Sequence, residues 1–206
     1  MMEFSAYIPA FVALFVVIDP IGLAPLFVAL TRGQTPRQRR AVAMRATLVA
    51  MGILTLFGLA GEAVLGFLGI SMPAFRMAGG ILLFLTALDM LFERRSQRRQ
   101  GQADGAPADD PSVFPLAIPL IAGPGAIATM ILLTGQSGGN TTHLVLVHLV
   151  MLAVLAVVLT LFLLAAPLER LLGPTGINVV TRLLGMLLAA LSVQFVIDAM
   201  RDLQVI

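Results

Sequence analysis

Two short motifs of proline and glycine interrupt otherwise apolar segments of this chain: Asp19-Pro20-Ile21-Gly22 in the first half and Gly123-Pro124-Gly125 in the second. Proline has no backbone N–H and clashes with the carbonyl four residues before it, and glycine tolerates backbone that is not helical. Each motif therefore predicts a break in a helix. A helix break leaves backbone groups without intrahelical partners, and at Asp19 it adds a carboxylate that could bind a polar ligand.

Asp19 is the residue of the first motif with the clearest chemistry, because a carboxylate within an apolar segment normally faces a cavity or a partner. Pro20 and Pro25 donate no hydrogen bond, so the carbonyls of Val16 and Ile21 lose their helical donors. Acceptor oxygens grouped in this way suit an ammonium group, Na⁺ or a proton. The alternative is that Asp19 only caps the half-helix that begins at Pro20.

The second motif offers donors instead. Gly123, Pro124 and Gly125 would expose backbone amides where a half-helix is predicted to begin, at about Ala126. A helix N-terminus favours an anionic group such as a carboxylate. Because Gly123 stands where the first half has Asp19, the two motifs together would suit a zwitterion. The alternative is that these residues only kink a helix for close packing.

Membrane-spanning helices must position these motifs. The chain of 206 residues is 59% hydrophobic and 12% charged, with a mean hydropathy of +0.99. A span of the roughly 30 Å hydrocarbon core takes about 20 helical residues. Six apolar segments are long enough, and the first is predicted to be an uncleaved span rather than a signal peptide. The segments are 4–29, 41–65, 72–92, 113–134, 143–167 and 178–200.

The positive charges indicate how the chain is oriented. All 13 basic residues are arginine, and nine lie in the loops 30–41, 93–112 and 168–177, whereas the opposite side has only Arg201. The positive-inside rule predicts that the arginine-rich loops are cytoplasmic and that both termini are periplasmic, in an inner-membrane protein. Because the arginines are spread over several loops, they do not predict a nucleic-acid interface.

The chain also contains an internal repeat. Pro20 and Pro124 correspond, and Arg76-x-x-Gly79 and Arg182-x-x-Gly185 recur at nearly the same offset. An odd number of spans in each half predicts that the second copy is inverted. The fold class is therefore an all-α membrane protein with six transmembrane helices, arranged as two inverted three-helix repeats with a broken first helix in each repeat. The repeats are 1–92 and 113–206, joined by a low-complexity cytoplasmic linker at 93–112.

Other charged residues lie near the ends of the spans. Arg76 and Arg182 are interpreted as side chains that extend to the membrane interface, or as paired gates that bind Asp or Glu across the closed side. Glu62, Asp89 and Asp198 are interpreted as solvated.

No enzymatic constellation is found in the sequence. His143 and His148 would not share a helix face as metal ligands do, and the motifs of zinc proteases, serine hydrolases and phosphate-binding loops are missing. Cysteine is absent, which excludes thiolate metal sites. We therefore expect no enzyme activity, no bound metal and no cofactor.

Several motifs, spread over nearly the whole chain, form a specific pattern. They are Asp19-Pro20-Ile21-Gly22-x-x-Pro25-Leu26-Phe27, Gly61-Glu62, Phe75-Arg76-Met77-Ala78-Gly79-Gly80-Ile81-Leu82-Leu83, Pro115-Leu116-Ala117-Ile118-Pro119-Leu120, Gly123-Pro124-Gly125, Thr181-Arg182-x-x-Gly185 and Val193-Gln194-Phe195. Together they resemble the MarC family of bacterial and archaeal inner-membrane proteins. The resemblance implies a six-span transporter-like protein grouped with the LysE-type amino-acid exporters, some members being linked to glycine and alanine.

By position, Asp19, Pro20 and Gly22 match the first signature of that family, and Gly123, Pro124 and Gly125 match the second. Leu23 departs from the asparagine of many members.

The sequence and the resemblance predict a secondary transporter, an exporter or exchanger of small neutral amino acids or similar small metabolites that works by alternating access. Its expected partners are the small-molecule substrate, H⁺ or Na⁺ as coupling ion, and membrane lipids, and a homo-oligomer is possible. The alternative functions are a channel or ion-conducting pore, and a non-transporting membrane scaffold.

The predicted topology can be tested with single cysteines, because the natural chain has none. A membrane-impermeant thiol reagent applied to intact cells should label Gln204→Cys, in the periplasm, and should not label Ser96→Cys until the membrane is permeabilised. Labelling of position 96 alone in intact cells would show that the orientation is reversed.

Overall fold

The computed structural model describes residues 7–94, 110–135 and 140–205, and the regular elements in these ranges are all helices. Most of the predicted linker lies outside the described residues. The helices are α1 (Ile8–Ile18), α2 (Pro20–Leu30), α3 (Pro36–Phe67), α4 (Met72–Leu91), α5 (Ser112–Ile121), α6 (Pro124–Gly135), α7 (Thr141–Leu163) and α8 (Ala165–Asp202).

These helices provide five or six membrane spans, where the sequence predicts six. Five stretches are long and apolar enough to cross a membrane, α1 and α2 together counting as one, and the pair α5 and α6, bent by 56°, gives a sixth if it is counted as one span. The order of elements is the same in the two halves, since each has one interrupted span followed by two long helices. An all-helical protein with up to six spans is therefore what the structure supports.

The ends of the long helices follow from local chemistry. At the start of α3 the Thr35 hydroxyl accepts a hydrogen bond from the Gln38 N–H (3.3 Å), and the Gln38 side chain accepts one from the Thr35 N–H (2.9 Å). This capping box, with Pro36 in the first helical position, begins α3 earlier than hydropathy alone predicts. Within α8 the backbone is not helical at Gly173, where φ is 61°, a conformation that glycine adopts at little cost.

The interrupted spans occupy the centre of the bundle. In the stretch from α1 to α2, 61% of the most apolar 18-residue segment is buried inside the bundle. The corresponding share is 22 to 28% for the long helices α3, α4, α7 and α8. Most of α6 is buried as well. Gly58 and Gly61 of α3 allow that helix to approach α6 closely, because added Cβ atoms would lie 2.8 Å from the Met130 side chain and 2.5 Å from the Ile131 side chain. The long helices therefore form the outer layer.

Helices α4 and α8 make the most extensive contact between any two elements. They run antiparallel. Arg76, near the start of α4, forms a 2.5 Å ion pair with Asp202 at the end of α8, and Arg182 forms one of 2.5 Å with Glu93, just after α4. Between these ion pairs lies a close backbone approach at Gly80, where an added Cβ would be 2.8 Å from the carbonyl oxygen of Ser192.

The two ends of the bundle can be told apart by the residues that they contain. The first, which we call the arginine end, includes residues 31–35 and the ion pair between Arg45 and Asp110, whose atoms lie 2.8 Å apart. Burial alone would raise the pKa of the Asp110 carboxyl, but the hydrogen bonding of Ser112 and the charge of Arg45 outweigh it and hold the pKa below its ordinary value. The opposite end, which we call the terminal end, contains both Tyr7 and the last turn of α8.

The packing of α4 on α8 predicts opposite effects of two glycine substitutions. Gly80→Ala would bring a Cβ to 2.8 Å from backbone that cannot easily move, so we expect a loss of about 1–3 kcal/mol of stability. At Gly52, within α3, an added Cβ meets no atom within 4 Å. Gly52→Ala should therefore gain up to about 1 kcal/mol from helix propensity. Thermal unfolding of the purified proteins in detergent measures both, and an unchanged midpoint for Gly80→Ala would contradict the close approach.

Candidate functional site

Asp19 forms the break between α1 and α2. Its backbone is in the left-handed region (φ 56°, ψ 64°), which aspartate and asparagine tolerate better than most residues. The residue is completely buried. Its carboxylate Oδ1 accepts a 3.1 Å hydrogen bond from the Gly22 N–H at the start of α2, so the capping interaction predicted as one of the two roles is present.

The position of the Asp19 carboxylate requires a glycine at position 22. A Cβ at this position would overlap Oδ2 of Asp19 and would lie 2.8 Å from Cγ. Any side chain at position 22 would therefore displace the carboxylate from its capping position. Asp19 and Gly22 form one unit, in which the glycine leaves the space that the carboxylate fills.

The second break is preceded by an irregular segment, α5. Phe114 and Ile118 have extended backbone (ψ 125° at both) within the span of this helix, because each precedes a proline, which disfavours the helical region. Both of these X–Pro peptide bonds are cis. The backbone is wound more loosely than an α-helix here, with Ala122 N–H donating to the carbonyl of Ala117 five residues back (2.8 Å). The sequence predicted an interruption of this span but not this geometry.

Gly123 is also required by its neighbours. A Cβ at this position would overlap the carbonyl oxygen of Pro119, so only glycine lets the chain turn from α5 into α6. Helix α6 begins at Pro124, which corrects the predicted start at about Ala126. The reason is that proline suits the first helical position, where no N–H is needed. The N–H groups of the first turn, those of Gly125 and Ala126, have no intrahelical acceptor.

The structure brings the two breaks next to each other. An added Cβ at Gly125 would lie 3.1 Å from Cγ1 of Val17 and 3.4 Å from Cδ2 of Leu83. The first turn of α6 therefore packs against the last turn of α1, two residues before Asp19. Pro20 and Gly123 are buried, Gly22 and Gly125 are half-buried, and Pro124 is exposed.

The two arginines predicted as gates lie away from these breaks, at opposite ends of the α4–α8 pair. Arg76 is nearly enclosed, with 12% of its side chain exposed, whereas Arg182 is 51% exposed. Each forms an ion pair with an acidic residue, a contact that the interpretation as gates includes. Whether they act as gates stays a prediction.

Two cavities of about 220 Å³ each lie at the opposite ends of the bundle. The terminal cavity, at the terminal end, is bordered by Tyr7, Pro9, Ala10, Ala13, Leu133, His143, Val147, Leu191, Gln194, Phe195 and Asp198. The arginine cavity, at the arginine end, is bordered by Phe27, Val28, Gln34, Pro36, Arg39, Arg40, Phe162, Leu163, Ala165 and Ala166. The packed layer of Val17, Leu83 and Gly125 belongs to the centre of the bundle and borders neither of them.

Sequence reasoning missed the polar side chains of the terminal cavity. The sequence predicts that Asp198 is solvated and suggests no role for His143 other than that of a metal ligand. In the structure both border one cavity with Tyr7 and Gln194. The only local signal is that polar residues stand near the ends of three spans. Among the described residues, no group of three or more His, Asp or Glu side chains could hold a metal ion.

The helices and the two adjoining breaks define a multi-pass α-helical membrane protein with interrupted spans at its centre. The chain belongs to the MarC family of integral membrane proteins, whose pattern it matches over residues 4–204. The family predicted from the residue motifs is thereby confirmed.

Relatives occur in archaea and bacteria. A UPF0056 membrane protein of Archaeoglobus fulgidus is 37% identical over 96% of this chain and 93% of its own length. The UPF0056 inner membrane protein YhgN of Escherichia coli K12 is 37% identical over 94% of this chain and 95% of its own length. UPF0056 membrane protein YvbG of Bacillus subtilis is 37% identical over 93% of this chain and 92% of its own length. No solved structure matches the chain significantly.

The unit formed by Asp19 and Gly22 predicts a non-additive pair of substitutions. Gly22→Ala alone should destabilise the protein by about 1–3 kcal/mol, because the new methyl group overlaps the carboxylate. In an Asp19→Ala background the same change should cost clearly less, because the overlapping atoms are gone. Thermal unfolding of the two single variants and the double variant gives the coupling, and additive losses would show that Gly22 is needed for another reason.

Proposed function

We propose that the protein is a secondary transporter, an exporter or exchanger of small neutral amino acids or similar small metabolites across the bacterial inner membrane. The observation that carries this proposal is the meeting of two helix breaks in the buried centre of a membrane protein. Non-helical backbone is tolerated at membrane depth where it is enclosed by protein or borders a cavity. In transporters, paired interruptions of this kind mark the substrate site.

The chemistry of the two breaks suits a zwitterion. Asp19 supplies a negative charge inside the bundle, which favours the ammonium group of an amino acid or a coupling cation, H⁺ or Na⁺. The first turn of α6 supplies N–H groups and the positive end of a helix dipole, which favour a carboxylate. The close approach of Gly125 to Val17 leaves little room near the breaks, so a small substrate is favoured over a large one.

We further propose that the two halves are inverted repeats and that rocking between them gives alternating access. Three features support this. The order of one broken span and two long helices is repeated. The two broken spans run in opposite directions, since α1 and the end of α6 lie at the terminal end, whereas the end of α2 and the start of α5 lie at the arginine end. The two cavities lie at opposite ends with packed residues between them. In such a mechanism the ion pairs Arg76–Asp202 and Arg182–Glu93 would hold the two ends of the α4–α8 seam closed. The arginine end would face the cytoplasm and the terminal end the periplasm.

Substitutions of Asp19 test the proposal. Asp19→Asn keeps the size, the left-handed backbone and the capping acceptor but removes the charge, so counterflow of labelled glycine or alanine in proteoliposomes should fall sharply while the unfolding midpoint stays close to that of the wild type. Asp19→Ala loses the cap as well, and should also lose about 0.5–2 kcal/mol of stability.

The same experiment separates the alternative functions. Wild-type counterflow by Asp19→Asn at external pH values from about 5 to 8 would contradict a role of the charge. Unitary currents in planar bilayers would indicate a channel, and neither counterflow nor current with the wild-type protein would favour a scaffold.

A further inference from the structure

A hydrogen-bonded pair of polar side chains forms one wall of the terminal cavity. His143 Nε2 lies 3.1 Å from the carbonyl oxygen of Leu133, and the Tyr7 hydroxyl lies 3.0 Å from His143 Nδ1. A carbonyl only accepts, so Nε2 carries a proton and donates to Leu133, and the Tyr7 hydroxyl shares a second hydrogen bond with Nδ1. The two rings, whose centroids are 5.5 Å apart, are therefore held in place beside the cavity.

A carboxylate from α8, that of Asp198, also borders the cavity. The Gln194 side chain donates a 2.8 Å hydrogen bond to Asp198 Oδ1, which orients the carboxylate and occupies one of its oxygens. Within the described residues the one cation within 4 Å of it is Arg201, at 3.8 Å on the same helix face and 65% exposed. Arg76 pairs instead with Asp202, one turn further along α8. An ion pair of that length between exposed groups is weak. Oδ2 of Asp198 accepts no hydrogen bond from the described part of the chain.

The remaining walls are apolar. Ala10 and Ala13 leave space on α1, and the other apolar lining residues are Pro9, Leu133, Val147, Leu191 and Phe195. A volume of about 220 Å³ lies below the range of roughly 300–1,000 Å³ that is usual for drug-sized ligands. The cavity thus suits a small solute with one charged group and a short carbon body. Among its described lining residues the one anionic group is Asp198, and the aromatic rings of Tyr7 and Phe195 also favour a cation.

We propose that the terminal cavity is a second binding site, which takes the ammonium group of a small amine or amino acid at Asp198. The carbon body of the ligand lies against Phe195 and the two alanines of α1. In the proposed transporter this would be the site where the substrate first binds from the periplasm. That role rests on the proposed function, whereas the binding itself does not.

Three probes that differ in their charged groups test the ligand class: ethylamine, which has only the ammonium group, propionate, which has only the carboxylate, and alanine, which has both. Asp19→Asn serves as the starting protein, so that the central site contributes no charge. Ethylamine and alanine should raise its unfolding midpoint in a concentration-dependent way, and propionate should not. No shift with either amine, or an equal shift with propionate, would overturn the proposal.

A second substitution locates the site. In the same background Asp198→Asn keeps the shape and the contact with Gln194 but removes the charge, so the apparent affinity for ethylamine and alanine should fall at least tenfold. The matched control is Glu62→Gln, which removes an exposed carboxylate that does not border the cavity and should leave the affinity unchanged. An unchanged affinity in Asp198→Asn would overturn the assignment.

The two proposals can fail separately. If the amines stabilise the protein through Asp198 but no counterflow is measured, the binding site remains and the transport function is lost. If counterflow depends on Asp19 but Asp198→Asn changes neither amine binding nor the external concentration needed for half-maximal counterflow, the central site remains and the terminal site is wrong.

Discussion

The structure depends on one constraint, which is that a membrane offers no water to hydrogen-bond an exposed peptide group. Interrupted helices such as α1–α2 and α5–α6 must therefore be enclosed by other helices, and they are the most buried part of the bundle. Each break then provides hydrogen-bond partners for backbone groups of its own segment. At the first, Asp19 caps α2 with its side chain, and at the second the looser winding of α5 keeps the N–H groups of Leu116 and Ala122 bonded to carbonyls five residues back. The position of the candidate site follows from this requirement.

Much of the fold could be predicted because its signals are local. Apolar length gives the spans, and proline gives both breaks, since the missing N–H acts within one turn of the chain. The geometry of α5 could not be predicted in the same way, because the sequence Phe114-Pro115 is compatible with several backbone conformations. The prediction that α6 begins at about Ala126, whereas it begins at Pro124, is a small error of the kind that is usual at helix ends.

The terminal cavity shows what local reasoning leaves out. Tyr7 and His143 are separated by 136 positions in the sequence, and Asp198 reaches the same cavity from a third helix. Their proximity depends on how α1, α7 and α8 pack, which no spacing rule reveals. The sequence does not identify the acidic partners of Arg76 and Arg182 for the same reason. Pairing with Asp202 and Glu93 depends on how α4 and α8 are aligned against each other.

The length of α3 relates the protein to its bilayer. Its apolar part, the predicted span 41–65, extends for about 38 Å at 1.5 Å per residue, whereas the hydrocarbon core is roughly 30 Å thick. Such a mismatch is relieved by tilting the helix or by deforming the surrounding lipid. Because α3 packs directly on α5 and α6, a change in its tilt would shift the helices that form the second break. The acyl-chain length of the host membrane is thus a physical variable that acts on the centre of this protein.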